Sequence, residues 1–214
     1  ASKLSSSNSA FLAGGMTSIP SMKLGLATYK DVIDIKHIKR LSGIKVSGKS
    51  VTIGATTKHV EVSNSKDVQK AIPSLAKLAG GIGDAQVRNR GTVGGSIANN
   101  DPSACYPSAC MALNAIIHTN DRKIEAAKFF KGMFETALKK GELIEAVEFQ
   151  IPEKSNYQKH PNPASRYAIV GVYLAKHKKE VNVAVTGAKS SVYIDKDLSK
   201  KLSSSFSSSA IDGM

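Results

Sequence analysis

Tryptophan is absent, cysteine occurs twice, and arginine stands only at positions 40, 88, 90, 122 and 166 among 30 basic residues. Two thiols, Cys105 and Cys110, are too few for a structural zinc or an iron–sulfur cluster, each of which takes about four ligands. The histidines at 37, 59, 118, 160 and 177 share no metal-ligand spacing, so they read as surface or structural groups and no metal site is expected. The cysteines make no disulfide framework, which points to a reducing compartment, most simply the cytoplasm. No apolar run approaches the ~20 residues of a membrane helix, and the residue order of a signal peptide is missing. Acidic residues number 17, leaving a net charge of +13. Such a charge raises nucleic acid as a partner, but base readout and stacking draw on arginine and interleaved aromatics. Scattered lysines read instead as a solvated surface, or as a face for an acidic partner protein.

What is present describes a globular chain. Of 214 residues, 41% are hydrophobic and 22% charged, enough for a core in two modest domains or one large one. The opening "ASKLSSSNSAF" reads as a chain entered partway through a helix, and "SSSAIDGM" ends without a capping element, so a fragment is expected.

Short strands are expected at Phe11–Ala13, Val32–Ile35, Ile44–Val46 and Val51–Ile53. "GKSVTIGATT" reads as a hairpin return strand entering a helix, with Thr56 or Thr57 as N-cap. Between Val60 and Ala79 the apolar spacing predicts two short helices broken at Ile72–Pro73. "YPSACMALNAIIHT" reads as an apolar helix or a helix plus strand, "EAAKFFKGMFETAL" as an amphipathic helix, and "ELIEAVEFQIP" as a strand closed by Pro152. Glu153–Ala164, with prolines beside and within it, reads as a linker. "RYAIVGVYLAK" and "EVNVAVTGA" then form a meander, and serine-rich "SKKLSSSFSSSA" is poor in helix formers.

Two adjacent-glycine segments carry the chemistry. Gly14 and Gly15 precede Met16 and Thr17; Gly94 and Gly95 follow Thr92 and Val93 and precede Ser96. Adjacent glycines permit positive φ and close backbone approach, and successive N–H groups in such a turn attract anions. Facing each other, the two segments would enclose a diphosphate. Each also reads simply as a tight turn after a strand, and neither is a P-loop or a Rossmann fingerprint.

The longer context resembles a known family. "LAGGMTSIPSMKLGLA" resembles the first FAD-binding segment of the flavoprotein subunit of molybdenum hydroxylases, the medium subunit of aerobic carbon monoxide dehydrogenase and its xanthine dehydrogenase relatives. "IGDAQVRNRGTVGGSIANNDPSACYPSACMALNA" resembles the second; "GELIEAVEFQIP" and "NPASRYAIVGVYLA" are similar to later segments, in the same order.

The resemblance implies an α+β fold: a vanillyl-alcohol-oxidase (PCMH)-type FAD-binding domain of two subdomains over 1–152, a linker over 153–164, and an incomplete C-terminal domain with antiparallel sheet over 165–214. It implies FAD as cofactor, held by Ala13, Gly14, Gly15, Met16 and Thr17 and by Thr92, Val93, Gly94, Gly95 and Ser96. Ile144 and Tyr167 would lie by the flavin ring. Thr17 replaces a commoner serine and keeps the hydroxyl; Ser18 replaces a frequent leucine. Cys105 occupies a position usually held by aspartate, leaving Asp101 to accept from a ribose or ribityl hydroxyl, or only to cap the next helix. Arg88 and Arg90 would neutralise phosphate or hold the loop through carbonyls. No catalytic side chain is expected, because the redox chemistry belongs to the cofactor. The implied role is an electron relay between an iron–sulfur small subunit with a molybdenum large subunit and an external acceptor, a quinone, NAD or oxygen. The alternative is a non-catalytic nucleotide-binding or scaffold module on a degenerate flavin fold.

Overall fold

A computed structural model describes residues 8–213; the expected helical character of the first seven residues lies outside them. The chain opens with β1 (Ser9–Leu12) and a short helix α1 (Ser18–Lys23), then β2 (Asp31–Asp34), which pairs parallel to β1. The hairpin β3 (Ile44–Ser47) and β4 (Ser50–Gly54) follows, then six short helices: α2 (His59–Asn64), α3 (Lys66–Ala71), α4 (Pro73–Gly80), α5 (Ala85–Arg90), α6 (Val93–Asn99) and α7 (Tyr106–Ala112). Next come β5 (Ile116–Thr119), β6 (Lys123–Glu125), α8 (Ala126–Phe129), β7 (Phe130–Gly132), β8 (Glu135–Thr136) and β9 (Ile144–Gln150). The last part is β10 (Lys154–Pro161), β11 (Ala168–His177), β12 (Glu180–Thr186), β13 (Tyr193–Ile194) and α9 (Lys196–Ser204).

Two antiparallel sheets, in the orders β3-β4-β9-β5-β6 and β10-β11-β12-β13, carry the molecule. Alternation along the strands explains the faces: in β4, Val51 and Ile53 are buried on either side of half-exposed Thr52, and across the ladder they meet Phe149 and Val147 of β9. One continuous core joins these residues through Leu75, Leu78 and Tyr106 of the helices to Tyr157, Tyr173 and Ala184 of the second sheet. Ser74 on α4 closes this joint, with its hydroxyl 2.6 Å from both Tyr173 Oη and Ser155 Oγ. The β1–β2 lobe rests on a separate, smaller cluster of Ile35, Leu41 and Leu143, with Phe11 and Ala13 packed against it.

Several local expectations change. The helical stretch breaks at Ile72–Pro73 but also at Ser65, whose hydroxyl accepts from the Val68 N–H and starts a third helix. Thr56 and Thr57 do not cap α2. Their hydroxyls bond the Leu41 carbonyl and the Gly43 main chain, while Glu61 reaches back to the Lys58 N–H. "EAAKFFKGMFETAL" holds only one helical turn, α8, before the β7–β8 hairpin. The buried Asn100 amide donates to the Gly132 and Glu135 carbonyls, an offer stronger than a marginal helix could match. Most of Glu153–Ala164 is not a loose connection but the edge strand β10. Its proline sits at the strand end beside a register shift, where a missing donor is tolerated. α9 forms despite the serines, capped by the Asp195 carboxylate on the Leu198 N–H. Among the described residues no helix is long and apolar enough to cross a membrane.

Candidate functional site

A cavity of about 500 Å³ opens between the β1–β2 lobe, the α5–α6 junction and the near end of the second sheet. Ala13, Gly14, Gly15, Met16 and Thr17 line it from the lobe, and Thr92, Gly94, Gly95, Ser96 and Asp101 from the other side. Ile144 and Tyr167 complete the wall. Val93 does not line the cavity; its side chain is fully buried in the main core.

The glycines are what let the lobe approach. A Cβ on Gly14 would strike the Arg90 carbonyl and lie 3.0 Å from Gly91 Cα, so the two segments touch main chain to main chain. Gly15 has φ +74°, a conformation side chains oppose. Among the described residues, no acceptor meets the main-chain N–H groups of Gly14, Gly15, Met16 and Thr17. An unpaired row of donors at a cavity wall requires water or a ligand.

The second segment is built differently. It is the first turn of α6 rather than a turn after a strand. Val93 donates to Thr57 O, Gly94 to Ala55 O at 2.8 Å, Gly95 to Thr92 Oγ1 and Ser96 to Thr92 O. A Cβ on Gly94 would lie 2.5 Å from Ala55 Cβ, so this glycine serves close packing of α6 on the end of β4. The N–H groups of Val93, Gly94, Gly95 and Ser96 are thus spent inside the protein, and the side chains this segment turns to the cavity offer hydroxyls, from Thr92 and Ser96.

Other expected residues resolve into specific roles. Asp101 does not cap α7; its Oδ1 accepts from the Ser103 N–H in a local turn, and it faces the cavity. Tyr167 is 44% exposed, not a core residue. Arg88 donates to the Ile82 and Gly83 carbonyls and so holds the loop before α5.

Among the polar cavity-lining residues that sequence reasoning missed are His59, Glu142, Lys159 and Arg166. Burial, with Arg88 nearby, lowers the His59 pKa to about 4, so the ring is neutral at pH 7. The Glu142 carboxylate accepts from Arg122 Nε at 2.9 Å, Thr119 Oγ1 at 2.8 Å and the Lys139 N–H at 2.7 Å. The Arg122 hydrogen bond foremost lowers its pKa to about 2, which makes it a fixed anchor for Leu143 and Ile144. Lys159 Nζ donates to the Gly81 and Arg166 carbonyls at 2.7 and 2.8 Å. Its sequence signal was only an alternation within a stretch whose prolines argued against a strand. Among the described residues no cluster could hold a metal ion.

The chain is similar to several characterised proteins. It is 37% identical over 170 residues to the glyceraldehyde dehydrogenase medium chain of Sulfolobus acidocaldarius, covering 77% of this chain and 60% of that one. It is 39% identical over 150 residues to the carbon monoxide dehydrogenase medium chain of Hydrogenophaga pseudoflava, covering 68% and 52%. The chain thus spans between half and three-fifths of these relatives' length. A solved carbon monoxide dehydrogenase from the same Hydrogenophaga species superposes with a TM-score of 0.84 at 31% identity, over 91% of this chain and 72% of that chain. Quinoline 2-oxidoreductase of Pseudomonas putida 86 shares the fold at a TM-score of 0.85 and 24% identity. Residues 1–153 match the family described as the FAD binding domain in molybdopterin dehydrogenase, and the chain, with FAD as its family's cofactor, belongs to that family.

Proposed function

We propose that this cavity holds FAD and that the protein is the electron-relay subunit of a molybdenum hydroxylase. The observation that carries the reading is the convergence of both glycine segments on one cavity, with four unpaired N–H donors on the lobe side. That donor row suits a diphosphate, and Gly14 and Gly15 let the segment that bears it pack against the Arg90 and Gly91 main chain and the Ile19 side chain. In this reading the N–H groups of Gly14 to Thr17 and the hydroxyls of Thr17, Thr92 and Ser96 hold the diphosphate. Asp101 accepts from a cofactor hydroxyl, and Ile144 and Tyr167 flank the ring.

Bound flavin supplies one- and two-electron transfer; the side chains orient it and limit its contact with water. The chain would receive electrons from an iron–sulfur subunit fed by a molybdenum subunit, and pass them to a quinone, NAD or oxygen. Its net charge of +13 would favour acidic partners through interactions weakened by salt. Extraction of bound cofactor followed by mass analysis tests the reading directly: FAD at about one per chain is expected. A colourless protein that refuses added FAD would overturn it in favour of a scaffold role.

A further inference from the structure

We infer that Cys105 is an oxidation site, where a peroxide converts the thiol to a sulfenic acid held by Lys159 and Tyr157. Cys105 lines the cavity and is 6% exposed. Lys159 spends two N–H groups on the Gly81 and Arg166 carbonyls, and this fixes its Nζ 3.7 Å from Cys105 Sγ. The second feature is independent of the first. Tyr157 is 4% exposed, and its hydroxyl has no oxygen or nitrogen partner among the described residues. Burial first, and then the adjacent Cys105, raise its pKa. Gly171 leaves space for that hydroxyl, since a Cβ there would lie 2.7 Å from it. The acceptor it faces is the Cys105 sulfur, a weak one. One oxygen atom added to Sγ would give it a stronger acceptor, and would accept from Lys159 as well.

The step balances without a further reductant or oxidant. Sulfur attacks one peroxide oxygen, the S–O bond forms as the O–O bond breaks, and sulfur loses two electrons. The other peroxide oxygen leaves as alcohol or water, carrying the thiol proton. The product stays a sulfenic acid because Cys110, the other thiol, is fully buried and burial pushes its pKa up.

The test exposes the full chain, cofactor-free and FAD-loaded, to hydrogen peroxide, traps sulfenic acid with dimedone and maps the adduct by mass spectrometry. Labelling of Cys105 and not Cys110 is expected in the cofactor-free protein, falling about tenfold in Y157F and K159M, as loss of one strong hydrogen bond implies. K159R retains most of it. Unlabelled Cys105, equal labelling of Cys110, or wild-type yield in both variants would overturn the proposal. Y157F removes only a hydroxyl that faces Cys105, so it remains informative if K159M does not fold. Labelling of Cys105 should fall when FAD is bound, and that expectation alone rests on the flavin reading. Flavin binding is read separately by absorbance, so a protein that labels at Cys105 yet binds no FAD defeats that reading and not this one.

Discussion

The two glycine pairs look alike in sequence and do opposite things in the fold. Gly14 and Gly15 sit on a small lobe whose buried cluster is Ile35, Leu41 and Leu143, and they leave their N–H groups open to the cavity. Gly94 and Gly95 begin a helix embedded in the main core through Val93 and Ile97, and their N–H groups are bonded to Ala55 O and Thr92 Oγ1. The difference teaches that a glycine pair near a cofactor site has two separate uses. One closes a lobe onto neighbouring main chain and leaves its own N–H groups open to the cavity; the other admits a helix to a strand and spends them. The first should govern binding, and the second stability.

The largest expected effect comes from Gly14→Val. Its side chain would collide with the Arg90 carbonyl, prise the lobe off the α5–α6 junction, and lower FAD content by more than about tenfold. The thermal midpoint should move less, because the lobe lies outside the main core; flavin absorbance per protein and a melting curve on one sample measure both. Gly94→Ala should reverse that pattern, costing about 1–3 kcal/mol through overpacking against Ala55, read by denaturant unfolding. A stability-neutral Gly94→Ala would break the comparison.

Acid should sharpen it next. Glu142 ionises in the folded protein at a pKa of about 2, below its ordinary 4.5. The unfolded chain therefore binds more protons between those values, and the carboxylate's contribution is lost as pH falls from about 4.5 toward 2. His59, lowered from 6.5 to about 4, loses its contribution over the window between those values, since the unfolded imidazole protonates first. Unfolding titrations of E142Q should lack the lower transition window and keep the upper one. The smallest effect is Thr92→Val, which removes the N-cap acceptor of Gly95 N–H and should cost about 1 kcal/mol, again by denaturant unfolding.

Much of the site was legible because glycine pairs, flanking hydroxyls and the strand at Ile144 are local patterns. The state of the donors was not. Ala55 O and Thr57 O, which take up the second segment's N–H groups, arrive from some forty residues earlier in the chain. Distance in sequence also hid the clamp by Asn100, which turns an amphipathic stretch into the β7–β8 hairpin. Lys159 was missed for a related reason. The prolines around it read as a linker, whereas pairing with β11 makes an edge strand that points this lysine toward Cys105.

Amide hydrogen exchange with and without FAD tests the donor asymmetry most directly. Exchange should be fast at Gly14, Gly15, Met16 and Thr17 in the cofactor-free protein and slow once FAD is added, while Gly94 and Gly95 are protected in both states. No slowing at the first segment, or equal slowing at the second, would contradict the account.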